Sequence, residues 1–486
     1  MKIKILPVIL FSWLFFQNLA GQSHSSQNKI NEEKGHKIVF NIKDANEPVV
    51  YLSIRYQDKL ILRDSAYLNP AGQYIFRGDS RYESGLYSLV SAHKTPYVDF
   101  IIDKYQYAEF DIDQSRNPEN FSVKNSPENE ELFAYQRTVL KTRKQVQEIQ
   151  RKRQQFARAK MRDSLNVYNR QLNSLQTEIN RFTLDMIDRN PDFLFSKVQK
   201  STLPVNIPES VLKSDTLTRN IYYRDHYWDN VDLGDSRLIP FQILENKYQD
   251  YFFQVLRYAG TDTLIKYVDR FLQKTENDSN MYRHFLDKLA YDFQVSKVLG
   301  HDAVFVHIAK NNHLKDKAYW LDEFMIAKYE KRVKNLEPVL IGSQAAELII
   351  PDTSGQRWIS SHTLPEKYIL LWFYDPTCVT CKAESENLRT LYDSLTRSGT
   401  RNFEVYAVGN DIDIERWKRY VKENNYPWIQ VGGPVANIDY MAAYNIYESG
   451  TPSLFILNGN REIILNRRIE IKQIPGFLHR YEKSGN

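Results

Sequence analysis

Cysteine is nearly absent: the 486 residues contain two, Cys378 and Cys381. A chain of this size with one pair is not a disulfide-stapled scaffold, and a four-cysteine zinc site is excluded outright. Charge of one sign is missing as well. The net charge is +5, or +3 without Lys2 and Lys4, too little to argue for a nucleic-acid partner. No apolar run downstream of the amino terminus approaches the length of a bilayer span.

What the chain does have begins at its start. Met1-Lys2-Ile3-Lys4 is followed by an apolar stretch from Ile5 to Phe16 and a small-residue exit at Ala20-Gly21. A cationic start, a short apolar segment and small residues describe a secretory signal over residues 1–21, cut near Ala20 or Gly21. With no cysteine near that cut, a lipid-modified amino terminus is not expected. Export would place the cysteine pair in a compartment where it can cycle between dithiol and disulfide.

The two cysteines stand in Asp375-Pro376-Thr377-Cys378-Val379-Thr380-Cys381-Lys382. Two residues placed at random in this chain fall three apart roughly once in 240. As a staple the pair would be feeble, since closing so small a loop is worth about 2 kcal/mol against about 4 to 5 for long loops. Zinc would need two histidines, and the nearby candidates, His362 and His479, lack ligand spacing. Dithiol redox chemistry is the expectation, with no metal and no diffusible cofactor.

The rest divides by pattern into an antiparallel β domain over 34–115, a helical domain over 120–340 and an α/β domain over 341–486. In the first, Lys37–Ile42, Val49–Ile54, Gln73–Phe76, Leu86–Val90 and Val98–Ile102 read as short strands separated by turn signals such as Asn69-Pro70-Ala71-Gly72. Its acids Asp99, Asp103, Asp111 and Asp113 read as solvated edge charges. In the second, Met161, Leu165, Tyr168, Leu172, Leu175, Ile179, Phe182 and Met186 lay one apolar seam along a long helix ended by Asn190-Pro191. That seam calls for a helical hairpin partner or a homodimer contact. Lys141, Arg143, Lys144, Arg151, Lys152, Arg153, Arg158, Lys160 and Arg162, against the single acid Glu148, read as a solvated face rather than a footprint for anionic partners. The stretch from His226 to Pro240, rich in aromatics and acids, reads as a packing junction.

In the third region, Tyr368–Tyr374 is apolar without alternation, as a strand covered on both faces would be. Leu388, Leu391, Tyr392 and Leu395 follow at helical spacing, which puts Cys378 at a helix start. There the unpaired amides and the helix dipole favour a thiolate, the form that attacks disulfides. Cys381 would lie one turn inside, shielded and placed to resolve a mixed disulfide. A strand at Phe403–Val408, a helix near Ile414–Glu423, and Thr451-Pro452 leading into a hairpin about Asn458-Gly459 complete the pattern.

These elements, in this order, resemble the thioredoxin superfamily over residues 342 to 484, nearest the exported TlpA and ResA type of thiol-disulfide oxidoreductases. The resemblance implies that Pro452 is a cis-proline facing the cysteines and that Thr451 offers its backbone to a substrate strand, with Thr377 beside the first cysteine at the substrate site. It implies a proton-handling role for Glu384, where ResA-like proteins carry a glutamate. Two departures stand out: Thr377 replaces the usual tryptophan, and Trp372 occupies the place of the buried aspartate of cytosolic thioredoxins. The β and helical modules ahead of such a domain resemble those of Gram-negative envelope proteins. The implied protein is a periplasmic oxidoreductase acting on disulfide-bearing clients, with electrons from a membrane dithiol donor. The alternative is an envelope binding or scaffold protein with a redox-inert or redox-sensing thioredoxin-like module, and a third is copper handling by the two thiols.

Overall fold

The computed structural model describes residues 35–483 apart from 46, 159–161, 316 and 434. The expected signal, 1–21, lies outside them. Two compact units divide the chain. One runs to Tyr258 and takes in Glu276–Met281; the other consists of Ala259–Thr275 and the chain from Tyr282 onward. The division falls inside the helical region.

The first unit opens with strands β1 (His36–Lys43), β2 (Val49–Tyr56), β3 (Lys59–Tyr67), β4 (Gln73–Gly78), β5 (Gly85–Ser91), β6 (Pro96–Ile102), β7 (Tyr107–Asp113) and β8 (Ser122–Lys124). They form two four-stranded sheets, ordered β4-β1-β7-β8 and β3-β2-β5-β6. Every ladder is antiparallel save the parallel pair β1 and β7. Phe40 and Phe110 stack at 4.9 Å and Phe100 meets Phe110 at 4.8 Å, so the two sheets close over one aromatic core. Strand β3 lies at a sheet edge with nearly every side chain in solvent, and therefore carries no one-face alternation to read.

Two acids correct the sequence reading. Asp99, 1% exposed, is no edge charge: it accepts from Arg55 Nε at 3.0 Å and from the Ser88 hydroxyl. Asp103 is also buried and accepts from Ser84 Oγ at 2.6 Å and Arg237 Nη1 at 2.6 Å. A carboxylate taken out of water must find such partners. Asp111 and Asp113 remain half-exposed.

Helices α1 (Pro127–Arg158) and α2 (Arg162–Arg189) pack as an antiparallel hairpin. Arg189 meets Glu131 at one end, at 2.7 Å, and Phe156 stacks on Tyr168 at 5.5 Å toward the other. The seam residues Leu165 to Phe182 are only half-buried and Met186 is fully so; Met161 lies outside the described residues. Lys141, Arg143, Lys144, Arg151 and Arg153 are exposed. After α3 (Leu194–Ser201), α4 (Glu209–Leu212) and α5 (Thr216–His226), the His226–Pro240 stretch buries Tyr227, Trp228, Val231, Leu233 and Leu238 and leads into α6 (Gln242–Asp250). Arg237 bridges Asp235 and Asp103, tying this junction to the β sandwich. Burial opposes ionisation of Asp235, yet Arg237 and Lys197 overcome it and hold its carboxyl down at about 2.

The second unit contains α7 (Thr261–Thr275), the body of α8 (Ser279–Val295), α9 (His301–Ile308) and α10 (Glu323–Leu336), then a short β9 (Ile349–Pro351) and β10 (Trp358–Ser360) pair. The α/β part follows as β11 (Tyr368–Tyr374), α11 (Val379–Arg397), β12 (Phe403–Gly409), α12 (Ile414–Asn424), β13 (Ile429–Gly432), α13 (Tyr440–Ala443), α14 (Ile446–Ser449), β14 (Ser453–Leu457), β15 (Ile463–Leu465) and α15 (Ile474–Lys483). Its sheet order is β13-β12-β11-β14-β15, with β11, β12 and β13 parallel and β14 and β15 antiparallel. The missing alternation of β11 is now explained. Tyr368, Leu370, Trp372 and Tyr374 face a core built with α11, α12 and α15, while Ile369, Leu371 and Phe373 face a second core with Leu348, Tyr440 and Tyr444. In the β14–β15 hairpin the left-handed residue is Arg461, at φ 62°, not Gly459. Its guanidinium donates to the carbonyls of His362 at 3.2 Å and of Leu364, which anchors that conformation.

One buried acid gives the first unit a pH dependence. Glu128, 1% exposed, accepts from the Phe195 amide at 2.9 Å, and burial pushes its carboxyl from 4.5 up to about 7. The folded chain keeps this proton to higher pH than the unfolded chain does. Its contribution therefore declines as pH rises from about 4.5 to about 7. Glu128→Gln keeps an oxygen for Phe195 and removes the titration. Unfolding midpoints measured across pH should show the variant more stable than the parent above pH ~8, by roughly 2 to 3 kcal/mol. A variant less stable there would contradict the assignment.

Candidate active site

Strand β11 delivers the chain to Asp375, whose carboxylate accepts from the Thr377 amide at 2.7 Å and its hydroxyl at 2.6 Å. The Asp375 carbonyl takes the Cys378 amide at 3.1 Å. This turn ends the strand and starts α11 with Cys378 as its cap: Cys378 has φ −79° and ψ 114°, and its Sγ accepts the Cys381 amide at 3.1 Å. A sulfur in the place of a capping oxygen satisfies one of the helix's free donors. An N–H aimed at it interacts more strongly with a thiolate than with a neutral thiol.

The two sulfurs have different surroundings. Cys378 is half-exposed, with Val379, 85% exposed, beside it. Cys381 is 0% exposed, and burial pushes its thiol up to about 12. The Thr451–Pro452 peptide bond is cis, and the Thr451 carbonyl oxygen lies 3.9 Å from Cys378 Sγ. Gly450, at φ 71°, bends α14 into this loop, and Ser453 Oγ closes on the Gly450 carbonyl at 2.6 Å. Helix α14 is held in turn by α10: Glu448 accepts from Asn335 Nδ2 at 2.8 Å and from Arg332.

Cys378, Cys381, Thr451 and Pro452 are thus gathered at one end of the central strands β11 and β14, with Thr377 on the exposed rim. Glu384 lies half-buried one turn beyond Cys381 and, among the described residues, makes no hydrogen bond or ion pair. Trp372 donates from Nε1 to Ser385 Oγ at 3.0 Å, so an indole fills the place behind the cysteines. No group of three or more His, Cys, Asp or Glu side chains among the described residues is placed to hold a metal.

Sequence reasoning did not single out the side chains of α12. Asp413 caps that helix, accepting the Arg416 amide at 3.0 Å, and Asp411 grips the Arg416 guanidinium at 2.7 and 2.6 Å. Trp417 donates to Tyr374 Oη at 2.9 Å and lies flat over two glycines. A Cβ on Gly409 would stand 2.1 Å from its Nε1, and one on Gly432 2.8 Å from its ring. Tyr420, one turn on, packs its ring 5.4 Å from Tyr374 and joins the core that contains Cys381. The spacing of Trp417 and Tyr420 on one helical face was the available signal.

Residues 366–463 match a family model described as thioredoxin-like. The carboxy-terminal domain is thioredoxin-like. Residues 168–337 match a second model, described as a domain of unknown function (DUF5106). Among solved structures, this chain is similar to a thioredoxin-like protein from Bacteroides caccae, at 20% identity over 57% of this chain and 98% of that one, TM-score 0.45. A domain described as a possible thiol-disulfide isomerase from Cytophaga hutchinsonii matches at 28% identity over 30% of this chain and 96% of its own, TM-score 0.27. The thioredoxin domain of a thiol-disulfide oxidoreductase from Bacteroides vulgatus matches at 22% over 29% and 96%, TM-score 0.25. No curated protein matches.

The unequal burial of the thioredoxin-like pair makes a direct prediction. Iodoacetamide at pH ~8 should label the native reduced protein once, at Cys378, and the unfolded protein twice, as read by peptide mass mapping. Equal labelling of both cysteines in the native state would contradict the placement of Cys381.

Proposed function

We propose that this protein is an exported thiol-disulfide oxidoreductase acting on protein disulfides in the periplasm. The observation that carries the reading is a half-exposed Cys378 capping a helix, with the Cys381 amide on its sulfur and the cis Thr451–Pro452 loop alongside. The thioredoxin-like match over 366–463 and the capped, asymmetrically buried dithiol both support a redox role.

In the reductive direction, Cys378 thiolate attacks a client disulfide. One sulfur–sulfur bond breaks, a Cys378–client bond forms, and the first client sulfur leaves as a thiolate. Cys381 then attacks Cys378, releasing the second client sulfur and leaving the Cys378–Cys381 disulfide. The client has gained two electrons and the dithiol has lost two. A membrane dithiol donor returns them. The carbonyl of Thr451 aligns the client strand beside Cys378, Pro452 shapes that edge, Thr377 lines the rim, and Glu384 passes protons to solvent.

With dithiothreitol as donor, the purified protein should accelerate insulin disulfide reduction, and Cys378→Ser should lower that acceleration at least ~100-fold. Cys381→Ser should accumulate mixed disulfides with clients, recoverable by mass mapping at Cys378. Full activity in the Cys378→Ser protein would overturn the reading.

A further inference from the structure

A resolving cysteine at the bottom of an apolar core faces an electrostatic difficulty. To attack, Cys381 must carry negative charge where burial disfavours it. The side chain in the position of the thioredoxin aspartate is Trp372, whose one donor is already spent on Ser385. Glu384 is bonded to nothing among the described residues.

The Tyr420 hydroxyl stands out in this core. It is buried and has no hydrogen-bond partner. Its polar surroundings are the Tyr426 hydroxyl, Ser385, the Cys381 thiol and the Glu386 carboxylate, none of them within hydrogen-bond distance of it. The neighbouring Tyr374 hydroxyl, by contrast, is fully engaged, accepting from Trp417 at 2.9 Å and donating to Gln430 at 2.8 Å. Burial pushes the pKa of the Tyr420 hydroxyl up, so it remains a protonated donor. Its ring is held between Tyr374 at 5.4 Å and Tyr426 at 6.3 Å, and Tyr426 is tethered through its own hydroxyl to Glu386 at 3.0 Å. A buried hydroxyl left without a partner is costly unless some state of the protein supplies one.

We propose that the Tyr420 hydroxyl donates a hydrogen bond to the Cys381 sulfur as that sulfur becomes a thiolate, and so promotes resolution of the mixed disulfide. The inference rests on the redox reading above. In the step, Cys381 loses its S–H proton to solvent and forms a bond to Cys378 Sγ. The Cys378–client bond breaks, and the client sulfur leaves with its electron pair and takes up a proton. An unpartnered O–H held in the same core as Cys381 can turn onto the developing charge without breaking a hydrogen bond elsewhere. Around Cys381 stand the Cys378 thiol, the Asp375 backbone at the helix start and the Thr451 side chain, with Tyr420 from α12 and Tyr374, Tyr426 and Glu386 behind it.

The test is Tyr420→Phe in the full-length protein, which keeps the ring and deletes the hydroxyl. Mixing the reduced protein with an aromatic disulfide that releases a coloured thiolate gives two phases: attack by Cys378, then resolution by Cys381. In Tyr420→Phe, the first phase should stay within about twofold of the parent, while the second slows about tenfold and its pH profile moves up by about one unit. An unchanged second phase, with the melting temperature preserved, would overturn this inference and leave the redox reading standing. A first phase in the parent no faster than that of its unfolded chain would instead sink the redox reading, while the second phase would still report on Tyr420.

Discussion

The amide of Cys381 points at the sulfur of Cys378, and much of the second unit serves to keep it there. For Cys378 to cap α11, the chain must leave β11 at a fixed height and turn within three residues. Asp375 makes that turn with its carboxylate and its carbonyl. The strand behind it cannot slide, because its alternate side chains are locked into two different cores. A shift of one residue would exchange the two sets of side chains between cores of different shape.

The same constraint makes the two cysteines unlike. The cap position leaves Cys378 at the rim, where the Cys381 amide donates to its sulfur. One helical turn carries Cys381 into the core beneath, where burial keeps it a thiol. A half-exposed thiol at the rim and a buried one beneath it follow from the geometry of a helix start on a covered sheet. The loop opposite is stiffened from outside: α10 holds Glu448, three residues before Thr451, through Asn335 and Arg332. This contact ties the last helix of the region that matches a domain of unknown function to the loop beside the cysteine pair.

The features legible in the sequence were those written locally. Seven consecutive buried residues in Tyr368–Tyr374 advertise a strand covered on both sides, and a cysteine followed by a helical stripe advertises a cap. The final hairpin was legible too, although its left-handed residue is Arg461, because three-dimensional anchoring by distant carbonyls decides which residue bears a positive φ. Strand β3 gave no pattern because an exposed edge needs none. Asp99 looked like a surface charge because Arg55, its partner, lies 44 residues away. Tyr420 was hidden for the same reason: its neighbour Cys381 belongs to another helix, and only tertiary packing brings the two together.

The direct measurement of the central claim is the rate at which Cys378 attacks a small disulfide such as oxidised glutathione, in the Cys381→Ser background. It should be compared at one pH between the folded protein and the same chain unfolded in guanidinium. If the folded helix start activates the sulfur, the folded protein reacts faster by about tenfold or more. An equal or slower rate in the folded protein would contradict the account.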